Sequence, residues 1–201
     1  MENEIILLNV SGQDKPGLTS SLTKALTEYG AKILDIGQAN IHNTLSLGIL
    51  FEIKKNSSSA PVLKDLLFKS YELGINAKFT PVSIEEYEEW VSSQGKNRYI
   101  ITLLGEKLDA EQISAVTSVI SDINLNIDAI KRLTGRISLV KKEAYQRASI
   151  QLSVRGEIKD KSYVTAKLME ISHDLDVDIA FQEDNIFRRN RRLVCFDMDS
   201  T

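Results

Sequence analysis

One cysteine, Cys195, and two histidines, His42 and His173, are all that the 201 residues offer in thiol and imidazole chemistry. A lone thiol excludes an internal disulfide framework, and with two imidazoles it cannot complete a zinc site of two cysteines and two histidines, or of four cysteines. Such sparing cysteine use fits a reducing compartment. Long apolar runs are also missing: nothing approaches the roughly 20 residues needed to span a bilayer. The segment Met1 to Val10 carries Glu2 and Glu4 where a signal peptide would carry bases, so a cytoplasmic protein is expected. An excess of positive charge is lacking too. Lys and Arg number 25 against 28 Asp and Glu, a net charge of -3, which supplies no overall field for holding nucleic acid or an anionic membrane. What the chain does have is 42% hydrophobic residues, enough to build the cores of one or two domains.

The chain repeats once, and the repeat sets the expected fold. Ile5 to Val10 is an apolar run of strand length, followed by the turn Ser11-Gly12-Gln13-Asp14-Lys15-Pro16-Gly17. The period then changes: Leu18, Leu22, Ala25, Leu26 and Tyr29 share a helical face, and Gly30 stands where a left-handed residue ends a helix. Ala31 to Ile41 predicts a second strand, and Leu45, Leu47, Ile49, Phe51 and Ile53 alternate as a half-buried third, with the hairpin at Asn43-Thr44. After the polar Asn56-Ser57-Ser58-Ser59, residues Leu63, Leu66, Leu67, Ser70 and Gly74 predict a helix, and Ile75 to Val82 a last strand.

The same βαββαβ order returns behind a charged connector, Glu85 through Asn97, which reads as an interdomain helix or linker. Tyr99 to Leu104 is the strand, with Gly105 in the place of Gly12. Ile113, Val116, Ile120 and Ile123 give the helix, Ile127 to Leu133 and Ala148 to Val154 the middle strands, Val164, Leu168, Ile171 and Leu175 the second helix, and Val177, Ile179 and Phe181 the fourth strand. The expected fold class is α+β: two tandem ferredoxin-like open sandwiches, each an antiparallel sheet with two helices on one face.

This architecture hosts unrelated functions, so side chains must discriminate. An RNA-binding version would place aromatics on its middle strands; here Leu47, Ile49 and Leu152 stand there. A metal chaperone would carry Cys-x-x-Cys in the first loop, which has no cysteine. The first loop instead offers Gly12, Asp14, Pro16, Gly17 and Leu18 between a buried strand and a helix. Unpaired N–H groups of a first helical turn suit a carboxylate, and Asp14 suits an ammonium, so an amino acid would satisfy both. The same residues also make a well-formed turn and helix start with no ligand.

The phrase Ser11-Gly12-Gln13-Asp14-Lys15-Pro16-Gly17-Leu18 behind a buried strand resembles the ACT domain, a small regulatory module of amino-acid metabolism. The resemblance implies paired modules, a homodimer, and an effector amino acid bound by Ser11, Gly12, Asp14, Pro16, Gly17 and Leu18, with Gln38 facing them from the second strand. The second repeat departs from the pattern with Gly105-Glu106-Lys107-Leu108-Asp109-Ala110. It reads as a pairing partner rather than a second ligand site.

At the carboxyl end the composition shifts to Arg188-Arg189-Asn190-Arg191-Arg192, read as a basic linker, then Leu193-Val194-Cys195-Phe196 and Asp197-Met198-Asp199-Ser200-Thr201. Two carboxylates two residues apart behind an apolar strand can hold a hard cation and divide nucleophile and acid roles. The string Asp-x-Asp-x-Thr resembles the first motif of the haloacid dehalogenase-like phosphatases. That resemblance implies Asp197 as nucleophile, Asp199 as general acid and base, Mg2+ on both, and Met198 and Thr201 orienting the phosphoryl group.

Tandem ACT-like units followed by this motif resemble the N-terminal part of a phosphoserine phosphatase over the whole chain. The implied parent activity converts phosphoserine and water to L-serine and phosphate. The later motifs of that family would lie beyond Thr201, so the chain is expected to be a fragment, inactive alone. The expected divisions are 1–84 and 98–183 as the two ACT-like domains, with 85–97 and 184–192 as linkers and 193–201 as the first phosphatase strand. The implied effector is L-serine. Two alternatives stay open: a ligand-free assembly scaffold, and a free-standing amino-acid sensor whose terminal Asp-x-Asp is accidental.

Overall fold

The computed structural model describes residues 3–54, 59–136, 140, 147–185 and 188, which fall in two compact units divided between Gln94 and Gly95. In the first, β1 (Glu4–Gln13), α1 (Leu18–Glu28), β2 (Lys32–Ile41), β3 (Thr44–Ile53), α2 (Ser59–Leu73) and β4 (Ile75–Val82) follow one another, and α3 (Ile84–Ser93) comes after. The sheet is antiparallel, in the order β2-β3-β1-β4. Strict alternation sends Ile6, Leu8 and Val10 of β1 and Leu45, Leu47, Ile49 and Phe51 of β3 to one face. There they meet Leu18, Leu22 and Leu26 of α1 and Val62 and Leu66 of α2. Gly30 is left-handed, as expected after α1, with φ +60°.

Two local readings need correction. The hairpin turns at His42 and Asn43, one residue earlier than expected, with His42 at φ 56° and β3 starting at Thr44. On α2 it is Val62, Leu66 and Ser70 that go inside while Leu67 is 56% exposed. The Ser70 hydroxyl meets the need of a buried polar group by donating to the Leu66 carbonyl at 2.7 Å.

The second unit contains β5 (Arg98–Gly105), α4 (Ala110–Asp122), β6 (Asn126–Arg132), β7 (Ala148–Arg155), α5 (Lys161–Asp174) and β8 (Asp178–Glu183), in the sheet order β6-β7-β5-β8. Tyr99, Ile101, Leu103, Leu152 and Val154 pack there against Val116, Ile120, Val164 and Leu168. Residues 85–97, expected as an interdomain helix or linker, mostly form α3, and the first unit extends through that helix. A capping box starts it: the Ser83 hydroxyl accepts from the Glu86 N–H at 3.1 Å and Glu86 Oε2 accepts from the Ser83 N–H at 2.9 Å.

Each sheet carries one irregularity that alternation alone does not foresee. In β2 the register shifts between Ile33 and Asp35, and in β6 between Ile127 and Ala129. Such a bulge reverses the facing of every later side chain in its strand. Gln38 therefore pairs with Leu47 on the helix-covered side, and Asp35 pairs with Leu50 on the opposite one.

Lys161 at the start of α5 donates to Glu183 on β8. The hydrogen bond, and then the charge of Lys161, hold the Glu183 carboxyl below its ordinary 4.5, and the same contact raises Lys161 above 10.5. The carboxylate's contribution is present above pH 4.5 and is lost as pH falls through the lowered value; that of Lys161 is present below pH 10.5 and is lost as pH rises through the raised one. Lys161→Met is expected to flatten the melting temperature of the second unit across the acid limb, between about pH 3 and 5, as read by circular dichroism. The effect should be small because both groups are half exposed.

Candidate functional site

The loop between β1 and α1 is drawn in at both ends. At Gly12 the backbone runs so close to β4 that a Cβ would lie 2.8 Å from Ile75 Cγ2. At Asp14 the N–H donates to the Asn43 carbonyl at 2.8 Å, which ties the loop to the β2-β3 hairpin. Gly17 then takes φ 89° and ψ -4°, a left-handed conformation that suits glycine, and α1 begins with no side chain capping its first turn. Leu18, Thr19 and Ser20 of that first turn line the same cavity as Asp14.

That cavity, about 380 Å3, is lined by Asp14, Lys15, Pro16, Gly17, Leu18, Thr19, Ser20, Gln38 and Leu45. Five of the seven expected ligand residues thus meet at one place: Asp14, Pro16, Gly17, Leu18 and Gln38. Ser11 and Gly12 do not line it. Ser11 follows the odd-numbered side of β1, away from the helices, and Gly12 serves the close approach to Ile75.

A run of hydrogen bonds connects these residues. The Thr19 hydroxyl donates to Gln38 Oε1 at 3.1 Å, Gln38 Nε2 to Asn40 Oδ1 at 3.4 Å, and Asn40 Nδ2 to Asp14 Oδ2 at 2.5 Å. Thr19 and Asn40 escaped the sequence reading. Asn40 could have been found from Gln38, since residues two apart on a strand share a face. Thr19 could have been found from its place in the first turn of α1.

The second unit builds the corresponding place differently. The N-terminus of α4 is closed by its own residues, with Asp109 Oδ1 accepting from the Gln112 N–H at 3.1 Å and Gln112 Oε1 from the Asp109 N–H at 3.2 Å. Gln112 is buried and its amide also donates to the Leu175 carbonyl at 2.9 Å. The donors that stand open in α1 are therefore partly used up in α4. At the register position of Gln38 stands Arg132, paired with Ile150; its Nε donates to the Gly135 carbonyl at 3.2 Å and its Nη2 is buried without a hydrogen-bond partner.

A model of the ACT domain matches residues 4–80, and a second ACT-domain model matches residues 98–182. The chain belongs to the ACT-domain family. Among relatives of known name, phosphoserine phosphatase SerB2 of Mycobacterium tuberculosis is 26% identical over 196 residues, covering 98% of this chain and 45% of the relative. The phosphoserine phosphatase of Streptomyces coelicolor is 27% identical over 202 residues, covering 98% and 44%. The chain thus spans less than half the length of these curated relatives. Over 88 residues the chain is also 33% identical to a UPF0237 protein of Methanococcus maripaludis, covering 43% of this chain and 96% of that one. Among solved structures, an unknown protein from Galdieria sulphuraria shares the fold with a TM-score of 0.73 at 17% identity, covering 92% of this chain and 100% of that one. A putative glycine cleavage system transcriptional repressor does so at 0.62 and 14% identity, covering 91% and 98%.

Asp197, Met198, Asp199 and Thr201 lie outside the described residues, as does Cys195. Among the described residues there is no group of three or more His, Cys, Asp or Glu able to hold a metal ion, and no helix long and apolar enough to cross a membrane.

Proposed function

We propose that this chain is the regulatory, amino-acid-binding and dimerising region of a phosphoserine phosphatase of the cytoplasm, and that its first ACT domain binds L-serine. The observation that carries the reading is the placing of the Asp14 carboxylate and the uncapped first turn of α1 on one small cavity. The amino-acid carboxylate accepts from the N–H groups of that turn, and the ammonium sits on Asp14. A serine hydroxyl is within the chemistry of Gln38 and Thr19, which already bond to each other. Likeness to two phosphoserine phosphatases over 98% of the chain supports the parent reaction.

In that reaction Asp197 attacks the phosphorus of phosphoserine while Asp199 protonates the departing serine oxygen. Asp199 then takes a proton from the water that releases phosphate from the aspartyl phosphate. Met198 and Thr201 orient the phosphoryl group. The Asp197 carboxylate and the Asp199 main-chain carbonyl are hard oxygen donors of the kind Mg2+ takes, and the ion would neutralise phosphoryl charge there. The 201 residues alone are expected not to carry out this hydrolysis, because these two carboxylates by themselves supply neither a complete metal site nor a water-excluding cavity.

Titration calorimetry with the twenty amino acids, with molecular mass followed by light scattering in the same samples, tests the proposal. Selective serine binding at one site per chain to a dimer is expected, the second domain staying empty because α4 caps itself. A stable dimer with no heat from any amino acid at millimolar concentration would replace this reading with that of a scaffold.

A further inference from the structure

A second cavity in the first unit has a different character. It is a groove of about 650 Å3 between α3 and the face of the sheet that α1 and α2 leave open. Its floor is one register row across four strands, Asp35, Leu50, Leu7 and Thr80. Its wall is aromatic: Tyr87 and Trp90, three apart on α3, have ring centroids 5.9 Å apart. Asp35 of the floor and Glu86 and Glu89 of α3 bring carboxyl groups to it, and among the described residues no lysine or arginine lines it. Among the described residues, Asp35 and Glu89 have no ion-pair partner.

We propose that this groove binds a small organic cation, an amine or guanidinium carried on an apolar or aromatic body. Aromatic faces attract cations, carboxylates pair with them, and Leu7 and Leu50 take the apolar part. The size argues for a small molecule rather than a chain: four strands at about 4.8 Å spacing make a row only about 14 Å long, and the volume is of the order small-ligand sites have. The acid on the floor is a consequence of local geometry. Without the register shift after Ile33, Leu34 and not Asp35 would stand beside Leu50. The second unit has the same shift but puts Ala129 and Ser153 at the matching positions, so the acidic floor belongs to the first unit alone.

Trp90 is the only tryptophan of the chain, so its emission reports directly on this groove. Phenethylamine is the probe, with phenethyl alcohol as the neutral analogue and hydrocinnamate as the anion. The expected result is a saturable change in Trp90 emission with the amine, at least about tenfold weaker with the alcohol and absent with the anion. Asp35→Asn and Glu89→Gln should each weaken amine binding about three- to tenfold, and added salt should weaken it further. Both substituted side chains are exposed, so the fold should persist, which circular dichroism checks. No saturable response at millimolar amine, equal affinity for amine and alcohol, or affinity untouched by both substitutions would each overturn the proposal. So would emission that changes with protein concentration when no probe is present, because a second copy would then occupy the groove.

Discussion

Asp14→Ala is expected to weaken serine binding about 30- to 150-fold, the loss that follows when a charge-assisted hydrogen bond worth about 2–3 kcal/mol is removed. The substitution takes away the one carboxylate on a cavity whose remaining donors and acceptors are neutral, apart from Lys15. It should leave the fold intact. The loop is held through the backbone, by the Asp14 N–H on the Asn43 carbonyl at 2.8 Å and by the close pass of Gly12 to Ile75, and alanine retains both. Asp14→Asn separates charge from hydrogen bonding: it keeps a side chain able to bond Asn40 but has no charge for an ammonium, so it should bind nearly as poorly as alanine. Calorimetry with serine measures both, and an unchanged melting temperature shows that binding and not folding was lost. Full affinity in Asp14→Ala would place the ligand elsewhere.

Gly156→Val should unfold the second unit before the first. Gly156 has φ +147°, a region that side chains scarcely enter, and a Cβ there would lie 2.6 Å from Leu125 Cδ2. Leu125 is itself buried in the second core, so moving its side chain aside disturbs that packing. Backbone strain of about 1–3 kcal/mol and overpacking of a similar size together cost about 2–6 kcal/mol, a large part of the roughly 5–15 kcal/mol by which domains are stable. Circular dichroism should then show an early transition from the second unit. Trp90, which lies in the first, should report its own transition near the original temperature. If both signals move together, the two units unfold as one.

The elements were legible in the sequence because each has its own period. Ile6, Leu8 and Val10 alternate and Leu18, Leu22 and Leu26 recur at helical spacing, and these six side chains meet in one core. The candidate site was legible in part for the same reason: Asp14, Pro16, Gly17 and Leu18 are consecutive or nearly so, and a loop between strand and helix keeps them together. Ser11 was misplaced by that reasoning, since adjacency in a strand sends neighbours to opposite faces. Asn40 was missed because its partner Asp14 is 26 residues away and only the sheet brings them together.

The sequence by itself determined two βαββαβ units, a glycine- and proline-shaped first loop and the loss of that pattern in the second repeat, because these depend on local conformational preference and on the spacing of apolar residues. Tertiary structure alone decided which faces β2 presents. Its register shift puts Gln38 toward the helices and Asp35 on the open side, while the simple alternation of β3 suggests no such step. It also decided that Gln112, three residues after Asp109 and so part of a local capping box, is buried with its amide donating to the Leu175 carbonyl at 2.9 Å. A strand register and a bond between residues 63 apart both depend on pairing across the fold, which no local period encodes.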